Sequence, residues 1–128
     1  MRLNETRTYE ILYSMKVTQR DREMQDQLNK LLDTIARDFE MRDPTRTEAN
    51  EEFRRSLNIE EGRKYLKITK RLGTQTMVWG FIVKGEDDKK FAQGDILKAA
   101  SWAAPARNKA RGNIFDNYDV RWTGPNYL

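Results

Sequence analysis

Between Thr18 and Met41 the apolar residues Met24, Leu28, Leu31, Leu32, Ile35 and Phe39 recur at spacings of 4, 3, 1, 3 and 4. At about 3.6 residues per turn this is one continuous stripe along a helix, with Arg, Asp, Gln and Lys on the remaining faces. A helix with a single apolar stripe has to bury it. In a chain of 128 residues with 38% hydrophobic content there is material for one modest core, and the stripe reads as its face rather than as a partner surface. Thr18 or Asp21 can cap the start. Arg42-Asp43-Pro44-Thr45 spells a turn at the other end. With no internal repeat, low-complexity tract or Pro/Gly/Ser linker, residues 1–128 read as one domain.

The rest of the chain reads as strands and short helices. Tyr9, Ile11, Tyr13 and Met15 alternate within residues 8–15, as in a half-buried strand. Thr47 with Glu48, Glu51 and Glu52 predicts the capped, acidic start of a second helix carrying Phe53 and Leu57, ended by Glu60-Glu61-Gly62. Residues 64–72 alternate Leu66, Ile68 and Leu72 against Lys67, Thr69 and Arg71. Gly73-Thr74-Gln75 is a turn. Residues 77–84 are apolar on both faces, as in a central strand, and 85–90 form a polar hairpin loop. Residues 96–102 read as the returning strand, 106–111 as a short helix between Pro105 and Gly112, and 119–122 as a final strand. The fold class that follows is α+β: a small antiparallel sheet with the long helix packed on one face, plus short additional helices. Met24 to Phe39 should bury against Trp79, Phe81 and Ile96.

Composition removes whole classes of function. Without cysteine there is no disulfide, thiolate nucleophile or thiolate metal ligand; without histidine the usual general base and commonest metal ligand are gone. Walker A, GxGxxG and GxSxG patterns are missing, and Ser101 has no histidine to activate it. Glu86-Asp87-Asp88 lacks the spaced ligands of a calcium loop and reads as a solvated hairpin tip. The expectation is therefore a non-enzyme with no metal and no cofactor. No apolar run approaches the roughly 18–20 residues that span a bilayer, and MRLNETRTYE lacks the apolar core of a secretory signal, so a cytoplasmic protein with no membrane partner is expected.

Charge is segregated. Residues 1–61 carry 11 Lys+Arg against 14 Asp+Glu, a net of −3; residues 62–128 carry 13 against 6, a net of +7, with all three tryptophans and nine of the thirteen aromatics. A basic, aromatic-rich half suits polyanions, because phosphates attract cations and bases stack on rings. The competing account is a β-rich core solvated by lysines. Two acid-free clusters stand out. Lys98, Arg107, Lys109 and Arg111 surround Trp102 in an alanine-rich stretch, and in the expected short helix Arg107 and Arg111 would share a face that could grip two phosphates. The ordinary alternative has Arg111 complementing a helix end and Trp102 filling the core. Arg63, Lys64, Lys67, Lys70 and Arg71 form the second cluster. Arg63, Lys67 and Arg71 would face outward, either for binding or as edge protection against aggregation. The candidate nucleic-acid-binding residues are Arg63, Lys67, Arg71, Lys98, Trp102, Arg107, Lys109 and Arg111.

The second half also resembles a group of small, functionally uncharacterised proteins of tailed bacteriophages. The likeness rests on Gly62-Arg-Lys-Tyr65-Leu-Lys67-Ile, Phe81-Ile-Val-Lys84, Lys98-Ala-Ala-Ser-Trp102, Ala104-Pro-Ala106, Ala110-Arg-Gly-Asn113 and Trp122-Thr-Gly124, and covers residues 62–124. It implies phage origin, hence the host cytoplasm, and brings no catalytic residues. Together these lines lead to a phage-encoded, non-catalytic accessory protein that binds nucleic acid non-specifically through a basic, aromatic-containing face. The alternative is a protein-binding factor that modulates a host protein, for example one of defence, through the acidic helices, or a minor virion component.

Overall fold

The computed structural model describes residues 19–126. Helix α1 runs Gln19–Glu40 and buries Met24, Leu28, Leu31, Ile35, Ala36 and Phe39, the expected stripe with Ala36 added and Leu32 half-buried. Thr18 and the expected strand over residues 8–15 lie outside the described residues. Asp21 falls inside the first turn, where its charge complements the helix dipole. The chain then reverses at residues 41–46. Here the Asp43 carboxylate accepts hydrogen bonds from Thr45 N (3.1 Å) and Thr45 Oγ1 (2.6 Å), which hold its pKa below the usual range.

Helix α2 spans Thr47–Ser56. Its N-cap position is Arg46, without a side-chain cap, so the cap assigned to Thr47 is not formed; Thr47 is already the first helical residue. Phe53 stacks on Phe39 with centroids 4.0 Å apart, and Trp122 meets both rings edge-on at 5.1 and 5.9 Å. This aromatic knot, with the Arg54–Asp33 ion pair at 2.7 Å, fastens α2 to α1. The helix ends at Leu57 and does not run on to Glu60-Glu61-Gly62. Instead Asn58–Glu61 becomes a strand, β1, absent from the sequence expectation. Only Ile59 of its four residues is apolar, and its conformation comes from pairing with the next strand rather than from its own pattern.

Strands β2 (Tyr65–Leu72), β3 (Gln75–Val83) and β4 (Ile96–Leu97) complete a four-stranded antiparallel sheet in the order β1-β2-β3-β4. Gly73 and Thr74 make a two-residue turn between β2 and β3. Gly73 has φ +62° and Thr74 a negative φ, the signs that a tight hairpin with glycine in first place requires. A bulge interrupts the ladder: Ile68 faces Gly80 and Thr69 faces Val78, leaving Trp79 as the extra residue. Trp79 therefore turns toward the helices, and its indole Nε1 donates to Arg121 O at 2.8 Å.

The sheet separates two cores. Leu66, Ile68, Trp79, Ile82 and Ile96 meet α1 and α2, whereas Phe81, Val83, Phe91 and Leu97 form a smaller cluster on the opposite face with Tyr65, Val78, Ala99 and Ala110. Phe81 is thus not a partner of α1, because it lies one residue out of phase with Ile82 on β3.

Three more expectations are revised after β4. The returning strand stops at Leu97, not Trp102: Ala99 bridges Pro105, and Ala100 N and Ser101 N both donate to Ala104 O, so the chain doubles back in a narrow loop. No helix forms over 106–111. Arg111 N donates to Ile96 O at 2.7 Å and Ile96 N to Gly112 O at 2.8 Å, so the end of this segment is tied to β4, and a bend at Asn108 carries the chain there. A six-residue helix is too short to compete with such pairing. Finally, Val120–Arg121 (β5) pairs with Gly124–Pro125 (β6) in a separate two-stranded ribbon rather than joining the main sheet. The ribbon rests on Gly80, where a Cβ would come within 3.0 Å of Leu97 O and 3.1 Å of the Pro125 ring. No described helix is long and apolar enough to cross a membrane.

Candidate functional site

The β2 register decides where the first cationic cluster goes. Leu66, Ile68, Lys70 and Leu72 point to the helices, and Tyr65, Lys67, Thr69 and Arg71 to the opposite face. Lys70 is therefore buried, at 4% exposure, with Nζ donating to Trp122 O at 2.8 Å and lying 4.8 Å from the Trp122 ring centroid. Desolvation lowers its pKa to about 8. Arg71 stays exposed, and its backbone N–H is held by Ser56 Oγ at 3.0 Å. Arg63 sits at the tip of the β1–β2 hairpin, which Gly62 N closes onto Tyr65 O at 2.9 Å. Since β2 neighbours β1 and β3, the two cationic segments are not adjacent strands of one sheet face.

The doubled-back loop nevertheless brings one member of the second cluster to this face. Trp102 stands at the loop tip with 52% of its surface exposed, and Lys67 Nζ lies 4.4 Å from its ring centroid. Trp102 is neither the core plug nor a strand residue. Lys98 is half-buried at the foot of the loop, where Ala106 N donates to its carbonyl at 2.7 Å, and Lys109 is exposed.

Arg107 and Arg111 separate. Arg111 is buried at 2% exposure, drawn under the surface by its backbone bond to β4, with Nε 3.4 Å from Lys109 O. It is not presented to a polyanion, and the two-arginine fork is not formed. Arg107 remains on the surface but is engaged: Nη1 and Nη2 each reach the Asp88 carboxylate at 3.0 Å, and Nη1 also donates to the Tyr65 hydroxyl. Asp88 accepts further bonds from Lys90 N (2.8 Å) and Phe91 N (2.9 Å). The guanidinium, then these backbone donors, hold the carboxyl well below the usual carboxylate range, and the pair drives the Arg107 pKa further up. Asp88 is thus a structural anchor and not part of a solvated tip. Its turn bond to Lys90 N was legible as an Asp two residues before its partner. Nothing in the sequence pointed to Tyr65 or Arg107 as the other ends.

Beside this clamp opens a cleft of about 1020 Å³, bordered by Arg20, Arg63, Lys64, Lys84, Lys89 and Arg107 and by Asp21, Glu86, Asp87 and Asp88. Several of its charged groups are engaged: Lys84 pairs with Glu61 and donates to Gly62 O at 3.1 Å, Arg107 pairs with Asp88, and Arg20 Nε donates to Gln93 at 3.2 Å. Among the described residues no group of three His, Cys, Asp or Glu side chains could hold a metal. The structure therefore brings together Lys67, Trp102 and Arg71 on the face away from the helices, places Arg63 at the hairpin tip by the cleft, and commits Arg107 and Arg111 to the fold.

Comparison with curated proteins and with solved structures returned no match. A family's sequence model does match, across nearly the whole chain including the loop that carries Trp102. Over residues 9–125 the chain belongs to a family of unknown function (DUF7717).

Proposed function

We infer that this protein is a non-catalytic, phage-encoded accessory factor of the host cytoplasm that binds nucleic acid without sequence specificity through the sheet face opposite the helices. The observation that carries the reading is Trp102, exposed at a loop tip with the Lys67 ammonium against its ring. A half-exposed indole at a loop tip beside a cation leaves ring surface uncovered, and base stacking with a neighbouring phosphate contact would use it. The net +7 of residues 62–128 favours a polyanion, and the phage resemblance of residues 62–124 supports the setting. Without a recognition helix, contacts fall on phosphates.

Fluorescence anisotropy of a labelled oligonucleotide against salt tests this. Each phosphate contact adds a log–log slope of about −0.7 on single strands, so Arg63, Lys67 and Arg71 together give about −2. Lys67→Ala with Arg71→Ala should flatten it by about 1.4. Absence of measurable affinity at about 50 mM salt overturns the reading.

A further inference from the structure

The geometry points to single-stranded nucleic acid as the substrate class, with Trp102 as a stacking platform for an unpaired base. This rests on the nucleic-acid reading above and narrows it. The Trp102 ring is flanked on one side by Lys67 Nζ at 4.4 Å, yet 52% of the residue remains exposed, so a base can lie on the ring while its phosphate meets the ammonium. An unpaired base offers that face freely. A paired base offers it only after unstacking, at a few kcal/mol per step.

The loop behind the ring is already held in shape. Ala106 N donates to Lys98 O at 2.7 Å, Ala100 N and Ser101 N share Ala104 O at 3.0 and 3.1 Å, and Ala103 N reaches Ser101 Oγ at 3.3 Å. Alanines at 100, 103 and 104 leave no side chain tall enough to screen the indole. Little ordering entropy is then lost on binding.

Charge bounds the site on one side. Lys67 and Arg71 lie about 13 Å apart along β2 on one face, and Arg63 sits beyond the strand at the hairpin tip. Directly across from Lys67 on β1 stands Glu60, exposed on the same face. That carboxylate, one strand spacing of about 4.8 Å away, borders Lys67 and leaves phosphate contact to the β2 side of it.

The test compares deoxythymidine and uridine oligomers of 4 to 10 nucleotides with a duplex of equal phosphate number, using wild-type protein, Trp102→Ala, Trp102→Phe and Glu60→Gln. Single strands should bind more tightly than duplex. Trp102→Ala should weaken them about 5- to 150-fold, the equivalent of about 1–3 kcal/mol for one stacked base, while Trp102→Phe keeps most of the affinity. Glu60→Gln should tighten both, by removing a carboxylate beside the Lys67 phosphate contact. Tight binding of either oligomer supports the inference, and their ratio names the preferred sugar. Equal binding of duplex and single strands, insensitive to Trp102→Ala, overturns it while leaving nucleic-acid binding in place. No binding to any of the three probes overturns both.

Discussion

Lys70 is the residue whose replacement says most about the core. Its ammonium sits under the C-terminal ribbon, bonded to Trp122 O at 2.8 Å, and burial lowers its pKa from 10.5 to about 8. In the unfolded chain the group keeps its ordinary value, so between about pH 8 and 10.5 the unfolded state holds a proton that the folded state has shed. Stability therefore rises with pH across that window, and below pH 8 the folded protein carries the full desolvation cost. At about 1.36 kcal/mol per pKa unit, the gain between pH 7 and pH 9.5 is about 2 kcal/mol. With a urea slope of roughly 1–3 kcal/mol/M for a domain of this size, the midpoint moves up by about 1 M. Urea unfolding followed by tryptophan fluorescence at pH 7, 8, 9 and 9.5 reads it directly. Lys70→Met fills similar volume without a titrating group, so subtracting its curve cancels the exposed lysines and tyrosines. The wild-type-minus-variant difference should climb through pH 8 to 9.5. Parallel curves would refute the burial argument, showing the ammonium to be hydrated in the folded protein.

Two further outcomes follow from the packing. Leu31 is fully buried between α1 and the sheet, and Leu31→Ala should cost about 2–5 kcal/mol in chemical unfolding; a loss under roughly 0.5 kcal/mol would mean that this face is not core. Asp88→Asn should weaken the clamp to Arg107 and flatten the acid limb of the stability curve. The depressed carboxyl contributes stability above about pH 4 that is lost as pH falls below it, so the variant and wild type should converge at low pH, and identical curves from pH 7 to pH 2 would contradict the clamp.

Much of this architecture was legible because it follows from short-range periodicity. The 4-3-1-3-4 spacing of Met24 to Phe39 can be satisfied only by a helix with one buried side, and the doubly apolar run 77–83 only by a strand with neighbours on both edges. The segregation of charge and the company of Trp102 with cations were likewise visible as composition. What the tertiary structure alone decided is where backbone pairing overrode local pattern. Asn58–Glu61 has almost no strand signal and became a strand because β2 offered an unpaired edge. Residues 106–111 had helical punctuation and formed no helix, because Ala106 N is held by Lys98 O and Arg111 N by Ile96 O. The same bonds placed Arg111 inside the protein and aimed Arg107 at Asp88, nineteen residues earlier in the chain. The Lys67–Trp102 contact joins residues 35 apart through a loop whose reversal no periodicity encodes. Local patterns report which face of an element is apolar. Hydrogen-bonding partners distant in the chain decide which element forms at all, since a buried backbone N–H or C=O left unpaired costs more than a weak propensity gains.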